Sequence, residues 1–159
     1  MNNNQSILKT KTNGSLSIAV VGSGGAGAIT AGSMLLEASA REGHYGMLTR
    51  SVGPQIRGGE AAALIRLGRE PIESISDRFD LIIAMDWNNV DRFAAEIPLD
   101  SDSIIISDPD KGDIPGELTR HGAKIIQVPI GKLAKKVKKG RPNMISLGLL
   151  SEMIGLSSD

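Results

Sequence analysis

One stretch constrains the fold of this 159-residue chain more than any other: a short apolar run that ends in a glycine motif and continues as a helix. Residues 17–21 (SIAVV) are apolar without interruption, as in a strand buried on both faces of a parallel sheet. They lead into Gly22-Ser23-Gly24-Gly25-Ala26-Gly27, after which Ala28, Ala31, Leu35 and Ala38 fall on one helical face. Gly22, Gly24 and Gly27 satisfy G-x-G-x-x-G between a strand and a helix, the context that gives the motif meaning. Glycine there lets the backbone turn tightly and lets a phosphate approach with no Cβ in the way. The helix start behind it supplies unpaired N–H groups and partial positive charge. Two readings stay open: Gly22, Ser23, Gly24, Gly25 and Gly27 receive a phosphate-bearing ligand or a partner loop, or they form a turn needed only for close strand–helix packing.

Gly43 is placed to close the helix as its C′ residue, and a second strand over residues 45–49 follows, with His44 and Tyr45 packing at its start. Residues 60–67 (EAAALIRL) are ambiguous, since alanines favour helix while length and flanking glycines permit a strand. Residues 81–85 (LIIAM), 103–107 (SIIIS) and 124–130 (KIIQVPI) read as strands. Helices are expected over 88–97, over 115–121 with Pro115 at the first helical position, and over 142–154 before Gly155. Strands alternating with helices predict an α/β fold: three layers, α/β/α, around a Rossmann-like, mostly parallel sheet. Residues 1–15 are expected to be a disordered lead-in, and 16–159 a single domain.

An NAD-binding fold wants Asp or Glu at the end of the second strand to hold the ribose. Arg50 and Ser51 stand there instead. Arg50 suits the 2′-phosphate of NADP, so a stand-alone NADP-binding module is one functional reading. The segment Arg50-Ser51-Val52-Gly53-Pro54-Gln55-Ile56-Arg57-Gly58-Gly59 frames Arg57 between Gly53-Pro54 and Gly58-Gly59. A guanidinium so presented fits planar carboxylate or phosphate recognition; a solvated turn is the plainer account. The first two strands are expected to be neighbours in a doubly wound sheet, so that both glycine-rich loops leave from carboxyl ends on the edge where such folds bind ligands.

Composition removes several classes. Net charge is zero and aromatics are 3%, so neither a basic field nor stacking platforms for nucleic acid or membrane are present. The absence of cysteine excludes thiolate-held zinc and iron–sulfur clusters within this chain, and two histidines do not make a histidine-rich metal site. The polar N-terminus has no apolar core of a signal peptide, which makes a cytoplasmic location the expectation. Lys132, Lys135, Lys136, Lys138, Lys139 and Arg141 cluster, and are read as a solvated helix face with Leu133 and Val137 inward. Asp86, Asp108 and Asp110 follow strands and are read as turn formers, and Trp87 as a packing or interface residue. Ser23 and Ser51 have no base of the right type nearby, so no catalytic residue is assigned.

The run GSGGAG, the helix behind it and GHYGMLTRSVGPQIRGGEAAALIRL together resemble the gamma subunit or domain of 2-oxoacid:ferredoxin oxidoreductases. Ser51, Gly53, Pro54, Arg57, Gly58 and Gly59 fit that family's S-x-G-P-x-x-R-G-G, and the wording is most similar to the 2-oxoglutarate type, where this domain often forms the N-terminal part of the alpha subunit. Arg141-Pro142-Asn143-Met144 and Leu147-Gly148 resemble its closing N-x-x-x-L-G helix. Ala26 departs from the family, where many members carry glutamine, and the family domain normally continues beyond the last helix seen here.

The resemblance implies a complex that decarboxylates a 2-oxoacid on thiamine diphosphate and Mg, reduces ferredoxin through iron–sulfur clusters, and passes the acyl group to coenzyme A (CoA). Those cofactors would sit in thiamine-binding and iron–sulfur subunits, with none held by this chain alone. This chain would shape the CoA region and the subunit interface through Arg50, Ser51, Gly53, Pro54, Gln55, Arg57, Gly58 and Gly59. A third possibility is a non-catalytic interaction subunit whose glycine loops only dock partners.

Overall fold

A computed structural model describes residues 14–53 and 59–156. The apolar runs become strands β1 (Ser15–Ser23), β4 (Leu81–Ala84), β5 (Ile104–Ser107) and β6 (Lys124–Gln127). β2 (Tyr45–Val52) extends past the expected 45–49 and carries Arg50 and Ser51 inside the strand. The ambiguous segment is β3 (Glu60–Gly68). The sheet order is β2-β3-β1-β4-β5-β6. β3 runs antiparallel to both β1 and β2, while β1, β4, β5 and β6 pair in parallel, each with the next. Every described strand except β3 therefore points the same way, as the mostly parallel α/β reading required.

One expectation is corrected. β1 and β2 are not neighbours, because β3 lies between them and pairs with each along its length. The cause is the connection length. Only residues 53–59 join β2 to β3, enough for a hairpin-type return but short of the dozen or more residues that a parallel crossover needs. β3 enters the sheet antiparallel and displaces β2 to the edge, yet the carboxyl ends of β1 and β2 still share one edge.

Side chains alternate across the sheet and feed two cores. On one face Ile18, Val20, Ala63, Ile65, Leu81 and Ile83 pack beneath α1 (Ala28–Arg41), α3 (Ile130–Lys136) and α4 (Pro142–Ile154). α1 comes closest at Gly32, where a Cβ would collide with that of Ala63. On the other face Ala19, Val21, Ala62, Leu64, Ile82 and Ile105 pack against Phe79, Trp87, Phe93 and Leu118. That second layer is thinner than expected. Residues 88–97 yield a 3₁₀ helix (Val90–Glu96) entered through a left-handed Asn89, and 115–121 yield one turn, α2 (Gly116–Thr119), with Pro115 just outside it as the N-cap.

Three smaller expectations also shift. Val137 is exposed, because α3 ends at Lys136 and Val137 is already extended; Ile130 and Ala134 face inward instead. Tyr45 does not pack but stands half exposed on the edge strand. Trp87 is a core residue, 5% exposed, whose Nε1 donates to Ser107 Oγ at 2.8 Å. The lead-in expected over residues 1–15 falls outside the described residues except for Gly14 and Ser15. No described helix is long and apolar enough to cross a membrane.

Candidate functional site

The glycine turn leaves β1 at the carboxyl edge of the sheet. Gly25 and Gly27 take φ of 89° and 91°, left-handed angles that cost a side chain about 1–2 kcal/mol. Gly27 is the N-cap of α1 and brings no side-chain cap, and no acidic residue occupies that helix's first turn. Its missing Cβ also makes room for Asn143, whose Nδ2 would otherwise lie 2.5 Å away. Asn143 belongs to the first turn of α4, so the glycine turn is packed between two helix starts.

The turn is fixed from below by Asp86, which follows β4. Its carboxylate accepts from Ser23 N at 3.2 Å, from Ser23 Oγ at 2.7 Å and from Asn88 N at 3.1 Å. Asp108, 1% exposed, does the same beside β5, accepting from Asp110 N and, at 2.7 Å, from Gly131 N at the start of α3. Both aspartates thus brace loops, as their position after strands suggested.

The second glycine-rich segment meets the first. Gly24 N donates to Gly59 O, across the register that pairs Ser23 with Glu60. At the other end of that segment, Gly53 N donates to Glu60 O at 2.9 Å, and the Glu60 side chain fills the space where a Gly53 Cβ would stand. Glu60 is 5% exposed and is paired by Arg92 of the 3₁₀ helix at 3.4 Å. Ser51 Oγ donates to Glu96 Oε2 of the same helix at 3.1 Å. Arg50 is exposed on β2. Pro54, Gln55, Arg57 and Gly58 lie outside the described residues.

Among the described residues, two recesses flank the turn. One of about 190 Å³ lies between Ser23, Thr30 and Ala61, towards β3. The other, about 470 Å³, opens towards β4 and α4 and is lined by Gly25, Gly27, Asp86, Lys111, Arg141 and Asn143. Lys111 and Arg141 are absent from the site residues expected from sequence, where Arg141 groups with the basic run and Lys111 with a loop. The signal that could have raised Arg141 is its place beside Pro142-Asn143 at a helix start. Among the described residues no group of three or more His, Cys, Asp or Glu could hold a metal ion.

This arrangement is a backbone-lined turn next to a cationic recess at the carboxyl edge of an α/β sheet. The family model described as pyruvate ferredoxin/flavodoxin oxidoreductase matches residues 17–159, a span that includes the turn, the hairpin and α4. The chain belongs to this family.

Proteins similar to this chain include one named as a pyruvate synthase subunit and one named as a 2-oxoglutarate synthase subunit. The pyruvate synthase subunit PorC of Methanothermobacter marburgensis is 28% identical over 141 residues, covering 86% of this chain and 76% of that one. The 2-oxoglutarate synthase subunit KorC of the same organism is 29% identical over 149 residues, covering 89% and 78%. The solved 2-oxoglutarate:ferredoxin oxidoreductase from Magnetococcus marinus, with 2-oxoglutarate, CoA and succinyl-CoA bound, matches at 29% identity and a TM-score of 0.76. That match covers 91% of this chain but spans only a quarter of the Magnetococcus chain. The family read from the two glycine motifs is the family found.

Proposed function

We propose that this chain is a gamma-type subunit or domain of a 2-oxoacid:ferredoxin oxidoreductase, that it shapes the CoA region and the subunit interface, and that it carries no catalytic side chain of its own. The observation that carries the reading is the bond from Gly24 to Gly59, which joins the two glycine segments at one sheet edge within a chain of this family. Iron–sulfur clusters are assigned to partner subunits because a chain without cysteine cannot ligate a cluster through thiolates, and thiamine diphosphate and Mg are assigned there on the family resemblance alone. The residues beside the turn suit CoA: Lys111, Arg141 and Asn143 offer charge and hydrogen bonds to phosphate oxygens. When bound, CoA supplies the thiol that accepts the acyl group.

We take 2-oxoglutarate over pyruvate as substrate. The support is the wording of residues 49–64, similar to the 2-oxoglutarate type, and the likeness to the Magnetococcus structure. The competing NADP reading loses ground with the corrected strand order. β3 separates Arg50 from β1, placing its strand about 10 Å from the glycine turn's strand, two inter-strand spacings away.

The test is co-purification of the chain from its native cell, followed by CoA-dependent dye reduction with 2-oxoglutarate and with pyruvate. Activity on 2-oxoglutarate in a fraction containing this chain supports the proposal. Tight NADPH binding with no such activity in any fraction overturns it.

A further inference from the structure

We infer that the exposed segment closing α3, Lys135-Lys136-Val137-Lys138-Lys139, is a docking site for the acidic face of another protein, one that presents carboxylates around a small apolar recess. The site is separate from the glycine turn and stands independently of the functional reading above.

Six of the chain's 18 basic residues and none of its 18 acidic ones fall within residues 132–141, which leaves a formal charge of −6 on the remainder. Two of the six have other contacts: Lys132 is held 2.9 Å from Asp110, and Arg141 lines the larger recess. The other four are exposed, and none makes an ion pair with a described residue. Lysines on the solvated side of an amphipathic helix would have Val137 beneath them. Here α3 ends at Lys136, and Val137 stands among the lysines, extended and 53% exposed. The patch therefore combines four cations with one apolar side chain.

The backbone holds this segment in a defined shape. Val137 N donates to Ala134 O at 3.2 Å, and Gly140 N to Val137 O at 2.8 Å. A Cβ at Gly140 would collide with Ala134 O, so the chain passes directly against the end of α3. Lys139 takes φ of 59°, a left-handed angle that disfavours lysine and that asparagine or glycine adopts more readily. A charged side chain kept at such an angle is the kind of outlier that points to function.

Charge and composition select the partner. Four like charges on five consecutive residues repel one another, and facing carboxylates relieve that repulsion. Lysine is hydrated and depleted from interface cores, which fits a reversible, electrostatically steered encounter. Single-stranded nucleic acid is disfavoured, because Phe79, Trp87 and Phe93 are buried and Tyr45 lies on β2, at the opposite sheet edge from the β6 that leads into α3. A lipid surface needs a wider apolar face than one valine.

In the test, the full chain is titrated into a labelled polyglutamate peptide with one central leucine, and anisotropy is read at about 50 mM and about 300 mM NaCl. Wild type should bind at low salt and weaken as salt rises. Lys135→Glu combined with Lys138→Glu should weaken low-salt binding roughly ten-fold or more and flatten the salt dependence. Val137→Ser should weaken it roughly three-fold with the salt dependence unchanged. Lys139→Asn should raise Tm by relieving the left-handed angle and still weaken binding. Lys124→Glu, on β6, should match wild type.

No binding by wild type, or a charge-reversed pair or Val137→Ser variant that binds as tightly as wild type, overturns the site. Tighter binding to phosphatidylserine vesicles or to duplex DNA than to the peptide at the same salt overturns it in favour of that partner. None of these outcomes touches the functional reading, whose own test is oxoacid oxidation.

Discussion

Gly27 combines a left-handed backbone angle with a contact to Asn143 that leaves no volume for a methyl group. Gly27→Ala should therefore cost about 1–3 kcal/mol, part from the angle and part from pushing Asn143 away. Urea denaturation measures it, and a loss below about 0.5 kcal/mol would mean that the turn relaxes freely. Asp100 gives a residue-scale prediction about acid. Burial pushes its carboxyl up, but the Asp102 N–H, the Arg78 guanidinium and the Ser103 hydroxyl outweigh burial and hold it below the ordinary carboxylate value. A depressed value adds stability above the unfolded pKa of about 3.9, and that stability is lost as pH falls through the folded value. Asp100→Asn should then lower Tm near neutrality, and the gap to wild type should shrink between about pH 5 and about pH 2. A gap constant with pH would show that the hydrogen bonds matter and the charge does not. At this scale the turn geometry of Gly25 and Gly27 was legible in the sequence because motif spacing marks backbone geometry directly. Lys111 and Arg141 were not, because their meeting depends on how the loop after β5 and the start of α4 fold towards each other, which no local pattern encodes.

The 3₁₀ helix is tied to the ends of β2 and β3 that flank the second glycine segment, through Arg92 to Glu60 and through Glu96 to Ser51. Removing Arg92 leaves a carboxylate that is 5% exposed without its cation. Arg92→Ala should cost about 1–3 kcal/mol, below the value for a fully buried pair because Arg92 is itself half exposed. Glu60→Gln in the same chain should recover part of the loss; paired denaturation curves check both, and no recovery would assign the cost to lost packing. The approach of α1 to β3 makes a second test. Gly32→Val drives two methyl groups towards Ala63 and Ile65 and should destabilise by about 1–3 kcal/mol or more, read from the same curves. Elements buried on both faces were easy to see as apolar runs. β3 was not, because both of its faces are buried and its alanines erase the period that separates strand from helix. The separation of β1 from β2 has a local signal in the connection length, since the short link over residues 53–59 suits a hairpin return and not a crossover. That signal becomes usable only once residues 60–68 are known to be a strand.

At the scale of the whole molecule, one sheet serves two cores, and β4 shows how tightly they are joined. Ile82 and Ile83 are consecutive and fully buried, yet Ile83 belongs to the core under α1, α3 and α4, while Ile82 belongs to the core with Trp87 and Phe93. Neither layer can keep its packing if the strand between them leaves the sheet. The two cores should therefore unfold in a single transition, despite the thinner helical cover on the second face. Trp87 is the only tryptophan and sits in that second core, so its fluorescence reports one side while far-UV circular dichroism reports the whole sheet. The two signals should trace the same urea curve. Ile82→Ala and Ile83→Ala should each move that shared curve by about 2–5 kcal/mol, whichever side is cut. Fluorescence that changes at lower urea than the dichroism would show that the face covered by the 3₁₀ helix and α2 opens by itself. The braces from Glu60 and Ser51 to that helix would then break first, and the ends of β2 and β3 would lose that support before the sheet does.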